Sequence, residues 1–208
     1  MKTLEEIKVL FENKSYDVRG DFINEYDFKD EYLDYYRQFI INAKDIKDRF
    51  YLSDLIDLAG SLNLYEKELR DRYYSYLFEK RHYLIKLAVL DYFKYCKKDL
   101  LSNSYEKDLN LILSRTTLNV LKCQIIFNLI CINSEKKEFY IERLKQSLTN
   151  SNDWRASYRI LMNIQYVKIE KTDKLIIYNH IADLAGKRDL GEGTEILLKE
   201  LSTIISSD

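Results

Sequence analysis

The chain holds two histidines, His82 and His180, and imidazole is the side chain that most readily moves a proton or ligates a metal near neutral pH. Glu79 and His82 stand three residues apart, the spacing that supplies two metal ligands from one helix in di-iron sites. Such a centre needs a second copy, and the residue three before His180 is Ile177. The apolar periodicity also breaks near Arg81, which separates the two groups. Cysteine chemistry fares no better, because Cys96, Cys123 and Cys131 are an odd set. Cys123 and Cys131 would lie about 12 Å apart along a helix, beyond disulfide reach. All three are expected as reduced, buried thiols. No CxxC pair, HExxH or histidine cluster occurs. The sequence therefore assigns no catalytic residue, no metal and no cofactor.

Gly191, Gly193 and Thr194 precede an apolar segment, where backbone N–H groups could face an anion. No lysine occupies the phosphate-loop position and no strand pattern comes before it. GEGTEILLKEL is read as a turn and N-cap between two helices. Gly60 and Gly186, each after an Asp-Leu-Ala stretch, are expected as left-handed C-caps.

The elements that carry these residues are helices. In 208 residues there is no proline and there are only 5 glycines, with 46% apolar and 32% charged residues. Apolar residues recur at three and four throughout, cut by polar breaks. Thr3 with Glu6 matches a capping box for a helix near 3–13, and Asn63 with Glu66 resembles another; Ser134, Asp153 and Thr172 are further candidate caps. Helices are expected near 31–43, 45–62, 64–80, 82–97, 105–114, 117–132, 136–149, 153–168, 173–187 and 193–205, pairing into five hairpins. The longest apolar run, Ile125 to Ile132, contains Asn128, and Glu5 and Glu6 interrupt the N-terminal apolar stretch. Neither export nor membrane spanning is expected, and the location expected is cytoplasmic.

The pairing has a period. Val89, Ile125 and Ile160 form one column, followed by Leu90, Ile126 and Leu161, and then by Phe93, Leu129 and Ile164. The steps between units are 36 and 35 residues, as stacked two-helix units require, since one hairpin cannot bury its apolar face alone. The segment NDWRASYRILMNI, with Asp153 in the turn, Arg155 two later and small and aliphatic residues at helical spacing, resembles the second helix of a HEAT-like (armadillo-type) repeat. RHYLIKLAVLDYF from Arg81 is a weaker match. The resemblance implies an all-α, right-handed α-solenoid of about five antiparallel helical hairpins in a single domain. Residues 1–44 would form an acidic, aromatic-rich cap with the first helices, and 45–208 the repeats. It also implies a carboxylate-guanidinium ladder along stacked turns at Asp153 and Arg155, and a concave face lined by second helices. The unit is short for this class and its usual first-helix proline is absent. Tetratricopeptide repeats, with a period of about 34 residues, are the lesser alternative, because their Trp, Gly and Pro positions are unfilled here.

Two surfaces follow as candidates for partner binding. From Glu12 to Tyr36 eight acids (Glu12, Asp17, Asp21, Glu25, Asp27, Asp30, Glu31, Asp34) face three bases (Lys14, Arg19, Lys29), with seven aromatics interleaved. Aromatic anchors beside carboxylates suit a basic partner, and Tyr26, Asp27, Asp30, Glu31, Asp34 and Tyr35 are its candidate contacts; the same segment also reads as a packed cap. The second surface is the concave groove, with Tyr92, Asn128 and Asn163 in one column, Tyr95, Cys131 and Tyr166 in another, and Trp154, Arg155 and Arg159 beside them. Fourteen of the 18 tyrosines fall within the first 105 residues, so some are expected at the surface, because each phenol needs a hydrogen-bond partner.

Three functions remain open. A chain of this length with no attached effector is expected to hold one partner, and the Lys-, Ile-, Asn- and Tyr-rich composition fits an AT-rich bacterial or phage genome. An immunity or antitoxin-type inhibitor that neutralises a bacterial toxin is the first reading, and a general HEAT-like adaptor or assembly factor is the second. The third is a DNA-binding protein or glycosylase, since some HEAT-like solenoids hold an extrahelical base with aromatics and an aspartate, roles open to Trp154 and Asp153. The balance of 33 Lys+Arg against 34 Asp+Glu weighs against a polyanion partner, although Lys86, Lys122, Arg155 and Arg159 stand on successive second helices.

Overall fold

The structure, a computed structural model, describes residues 3–12, 18, 32–43, 46–132 and 135–206. These residues are helical with no strand among them, and the chain divides into two compact units, Met1–Cys96 and Lys97–Asp208. The first holds α1 (Leu4–Phe11), α2 (Leu33–Asn42), α3 (Arg49–Ser61), α4 (Lys67–Phe78) and α5 (Tyr83–Tyr95). The second holds α6 (Tyr105–Arg115), α7 (Asn119–Ile132), α8 (Lys137–Thr149), α9 (Trp154–Ile164), α10 (Lys171–Ala185) and α11 (Glu192–Ser206).

Helix starts follow the sequence only in part. Thr3 and Glu6 form the expected capping box on α1, and the Asp153 carboxylate accepts the Arg155 N–H at the start of α9. Asn63 does something else: it takes a left-handed φ of 55° just past α3. There Leu64 N–H reaches Ala59 O at 2.9 Å and Asn63 N–H reaches Gly60 O at 3.0 Å, a Schellman closure in which asparagine replaces glycine. Helix α4 begins three residues later with Glu66 at its N-cap, and α10 has Glu170 rather than Thr172 there. Gly60 lies inside α3, buried against Tyr92, and Gly186 is right-handed at φ −68°. Neither is the left-handed cap expected of it.

Without proline and with few glycines, the chain closes helices with cations. Arg72 donates to Ile41 O at the end of α2 (2.8 Å) and Lys86 to Leu77 O at the end of α4 (2.8 Å). In the second unit Lys174 donates to Gln165 O after α9 (3.1 Å), and Arg188 to Leu148 O and Thr149 O at the end of α8 (2.5 and 3.0 Å). Each satisfies orphan carbonyls and sets a positive charge at the negative end of the helix dipole.

The core of the first unit is aromatic. Helix α5 packs on α3 and α4, and Tyr92 meets Tyr73 edge-on and Tyr65 at ring-centroid distances of 5.0 Å. The Tyr92 hydroxyl donates to Leu64 O at 2.7 Å. Among the described tyrosines of the first 105 residues, Tyr36, Tyr73, Tyr76, Tyr92 and Tyr105 are buried, six further ones are half-buried, and Tyr95 is exposed.

In the second unit, helices two apart in sequence are neighbours: α7 packs on α9, α9 on α11 and α8 on α10. Polar links join α6 to α8 and α8 to α10. Asn110 of α6 donates to the Tyr140 hydroxyl of α8 (3.1 Å), Lys137 of α8 pairs with Asp173 of α10 (2.7 Å), and His180 of α10 lies 3.1 Å from Lys145 O. The aligned columns are core positions, since Val89, Ile125, Ile160 and their six companions are all buried. Helix α7 is buried nearly all round, and its Gln124 and Asn128 amides bond each other at 3.2 Å, which is how so apolar a helix carries two amides.

Candidate functional site

The outward side of α9 is the candidate site. Ala156, Ser157, Ile160, Leu161 and Ile164 are buried and fix the helix's rotation. At 100° per residue this turns Trp154, Arg155, Tyr158, Arg159 and Met162 outward, with Tyr166 just past the helix end. Trp154 is 48% exposed, Met162 41% and Tyr166 62%, a large apolar display for one short helix. The Trp154 and Tyr158 rings meet edge-on at 6.0 Å.

Two glycines seat those rings. Gly191, at φ +81°, lies under the Trp154 ring, where an added Cβ would be 3.6 Å away, and Gly193 lies under Tyr158. Only a residue free to take positive φ turns the chain so close to the indole. The turn at Gly191 and the first turn of α11 are thus the back wall of the aromatic pair, and Gly191 N–H is itself held by Asp189 at 2.7 Å.

Arg155 is fixed by Asp153 through two parallel bonds, Nε to Oδ1 at 2.7 Å and Nη2 to Oδ2 at 2.9 Å. The expected ladder between stacked turns is replaced here by a pair within one turn. With Oδ1 also accepting the Arg155 N–H, the Asp153 carboxylate is occupied and is not placed as a general base. Arg159 lies one turn beyond Arg155, half-buried, and its carbonyl accepts from Asn163 Nδ2 at 2.8 Å.

Of the groove residues expected from sequence, the structure gathers Trp154, Arg155, Arg159, Asn163 and Tyr166 around α9. Tyr92 and Asn128 are corrections: at 1% and 0% exposure they are core groups rather than groove-lining ones, held by Leu64 O and by Gln124 and Tyr105. Tyr95 is exposed in the first unit, where Lys94 stands 4.4 Å over its ring. Of the acidic aromatic segment, Tyr26, Asp27, Asp30 and Glu31 lie outside the described residues. Asp34 is exposed and pairs with Arg37 at 3.2 Å. Tyr35 is half-buried, its phenol pushed up to about 12 by burial, with Glu12, Tyr51 and Glu5 adding to the rise. Sequence reading missed Tyr158 and Met162, which follow Trp154 at four-residue steps and were legible from that spacing.

The groups first considered for chemistry have structural duties. Glu79 closes α4 and accepts from Ser75 and Arg81, whereas His82 caps α5 by accepting Leu84 N–H at 3.4 Å. They sit on different elements. His180 lies in the α8–α10 seam beside Thr149 and Lys145 O, and burial lowers its pKa. Burial pushes the Cys123 thiol up to about 12, far from a reactive thiolate. Lys86 is committed to Leu77 O, and Lys122 is half-buried on α7. Among the described residues no group of three or more His, Cys, Asp or Glu side chains is arranged to hold a metal ion, and no helix is long and apolar enough to cross a membrane. In comparisons with protein-family models, curated proteins and solved structures, nothing matches this chain.

Proposed function

We propose that the protein is a non-catalytic protein-binding module, an immunity-type inhibitor that holds and neutralises a bacterial toxin from an α-solenoid of HEAT-like hairpins. The observation that carries this reading is the outward face of α9, where Trp154, Tyr158, Met162 and Tyr166 stand with Arg155 and Arg159. These are the residue types enriched at interface centres, and a row of them is an anchor that solubility alone disfavours. The seating of two rings on Gly191 and Gly193 supports it further, because rigid anchors lose little entropy on binding. The two-apart packing of α7, α9 and α11 supports the solenoid. The acid-rich stretch from Glu12 to Tyr36 supports steering toward a basic toxin. The pairing of Asp153 with Arg155 speaks against the glycosylase-like alternative.

The test is paired capture from native lysate of the tagged protein and its Trp154→Ala/Tyr166→Ala variant, with helicity matched and nucleic acid assayed in both eluates. One stoichiometric protein, toxic to cells when expressed alone and retained at least tenfold less by the variant, is expected. Equal retention by the variant, or nucleic acid as the main species, overturns the reading. Several weakly held proteins with no toxicity transfer it to an adaptor.

A further inference from the structure

We infer that the N-cap of α5 is a pH-sensitive switch: His82 closes the start of the helix only while its imidazole is neutral, and acid releases the first turn. This goes beyond partner binding and does not depend on it.

The cap is a bond that protonation removes. The Leu84 N–H donates to Nδ1 of His82 at 3.4 Å, which needs a lone pair there, so the neutral ring carries its proton on Nε2. A proton arriving at Nδ1 turns that acceptor into a donor facing another donor. It also places a positive charge at the end of the helix where the dipole favours a negative one. Serine, threonine or asparagine at an N-cap carries no such dependence. The helix concerned is the one that packs on both α3 and α4 and buries Ile85, Leu87, Ala88, Val89 and Leu90.

The surroundings oppose the charge. Burial, and then the Arg49 guanidinium at the start of α3, hold the imidazole below its ordinary 6.5. The neighbouring carboxylates are committed elsewhere: Asp48 accepts the Phe50 and Tyr51 N–H groups, and Glu79 accepts from Ser75 and Arg81. Bonds from Ser75 and Arg81 also hold Glu79 below its usual range, so its charge stays constant while His82 titrates. On α5 itself, Lys86 is bonded to Leu77 O. The Tyr83 ring, 4.6 Å from the imidazole, can stack on it in either charge state. With the folded value depressed, the stabilisation from the cap is complete above pH 6.5 and is lost as pH falls through the folded value.

His180 behaves differently. Its Nε2 faces Lys145 O at 3.1 Å, an acceptor only, so Nε2 already carries a proton and the second one goes to Nδ1. That bond survives protonation, although Lys145, Glu142 and Asp183 also act on the ring.

The test is NMR of the isotope-labelled full chain from pH 7.5 to 5.5, with thermal midpoints of the wild type, His82→Asn and His180→Asn. His82 is expected as the Nε2–H tautomer at pH 7.5, and the Leu84 amide proton should move upfield in step with the imidazole. The wild type should lose about 3 °C more than His82→Asn over this range, while His180→Asn keeps the wild-type loss relative to His82→Asn. An Nδ1–H tautomer, a Leu84 amide that does not follow His82, or an equal loss in His82→Asn overturns the inference. If His82→Asn does not fold, the tautomer and the Leu84 amide in the wild type decide it alone.

Discussion

Gly193 lies so close under the Tyr158 ring that a Cβ there would stand 3.1 Å from Cε2. The fit ties the first turn of α11 to Tyr158 of α9, and Gly191, just before that helix, does the same for Trp154 with a backbone at φ +81°.

Alanine at these sites should therefore act on the face as well as on stability. Gly191→Ala forces a side chain into the left-handed region and should cost about 1 to 2 kcal/mol. Gly193→Ala should displace Tyr158 and shift Trp154 emission without unfolding the chain. Gly60→Ala is the contrast: its Cβ would meet Tyr92 at an ordinary 3.5 Å, so removing a helix-interior glycine should stabilise by about 0.4 to 1 kcal/mol. Urea denaturation of the three variants, followed by circular dichroism and Trp154 emission, checks all of this.

Two neighbouring phenols should respond oppositely to loss of the hydroxyl. Tyr92 donates to Leu64 O at 2.7 Å, whereas the Tyr65 hydroxyl is buried with no hydrogen-bond partner among the described residues. Tyr92→Phe strands a carbonyl and should cost about 1 to 2 kcal/mol, while Tyr65→Phe should be neutral or stabilising by up to about 1 kcal/mol. Denaturation midpoints at unchanged slope decide it.

The same phenols set an alkaline limit. Burial raises Tyr65 from 10.0 to about 12, with the nearby Cys96 adding to the rise, and burial raises Tyr73 and Tyr92 still further. Above pH 10 the unfolded chain releases phenol protons that the folded chain retains, so ionisation favours unfolding. Stability should hold up to about pH 10 and fall as pH rises toward 12. Tyr65→Phe should lessen that fall, as thermal midpoints across the range will register.

Arg188 should matter more than its surface position suggests. Its guanidinium holds Leu148 O and Thr149 O at the end of α8. Arg188→Met, which keeps the apolar stem, should cost about 1 to 2 kcal/mol. Arg188→Lys should recover part, since it restores the charge but not the fork. Melting of the three proteins at low and high salt measures the charge share.

Helix positions and core columns were legible because burial imposes the 3.6-residue period, and Val89, Ile125 and Ile160 obey it. Fates of polar residues were not legible. Tyr92 and Asn128 sit in columns beside core positions, and partners supplied by tertiary or same-helix geometry, among them the Leu64 carbonyl, the Gln124 amide and the Tyr105 hydroxyl, explain how they are buried. Asn63 and Glu66 have capping-box spacing, yet the backbone spends Asn63 on closing the previous helix. On α9 the periodicity exposed Trp154 and Tyr166, but the seats at Gly191 and Gly193 come from residues 37 and 35 positions further along the chain and leave no periodic trace.

Hydroxyl-radical footprinting of the captured complex against the free chain tests the α9 face most directly. Trp154, Met162 and Tyr166 are exposed and oxidisable, and Phe139, 61% exposed on α8, is an internal control. Oxidation of the three α9-face residues should fall at least fivefold in the complex while Phe139 is unchanged. Equal oxidation of Trp154, Met162 and Tyr166 in the two states would contradict the assignment of this face as the partner-binding surface.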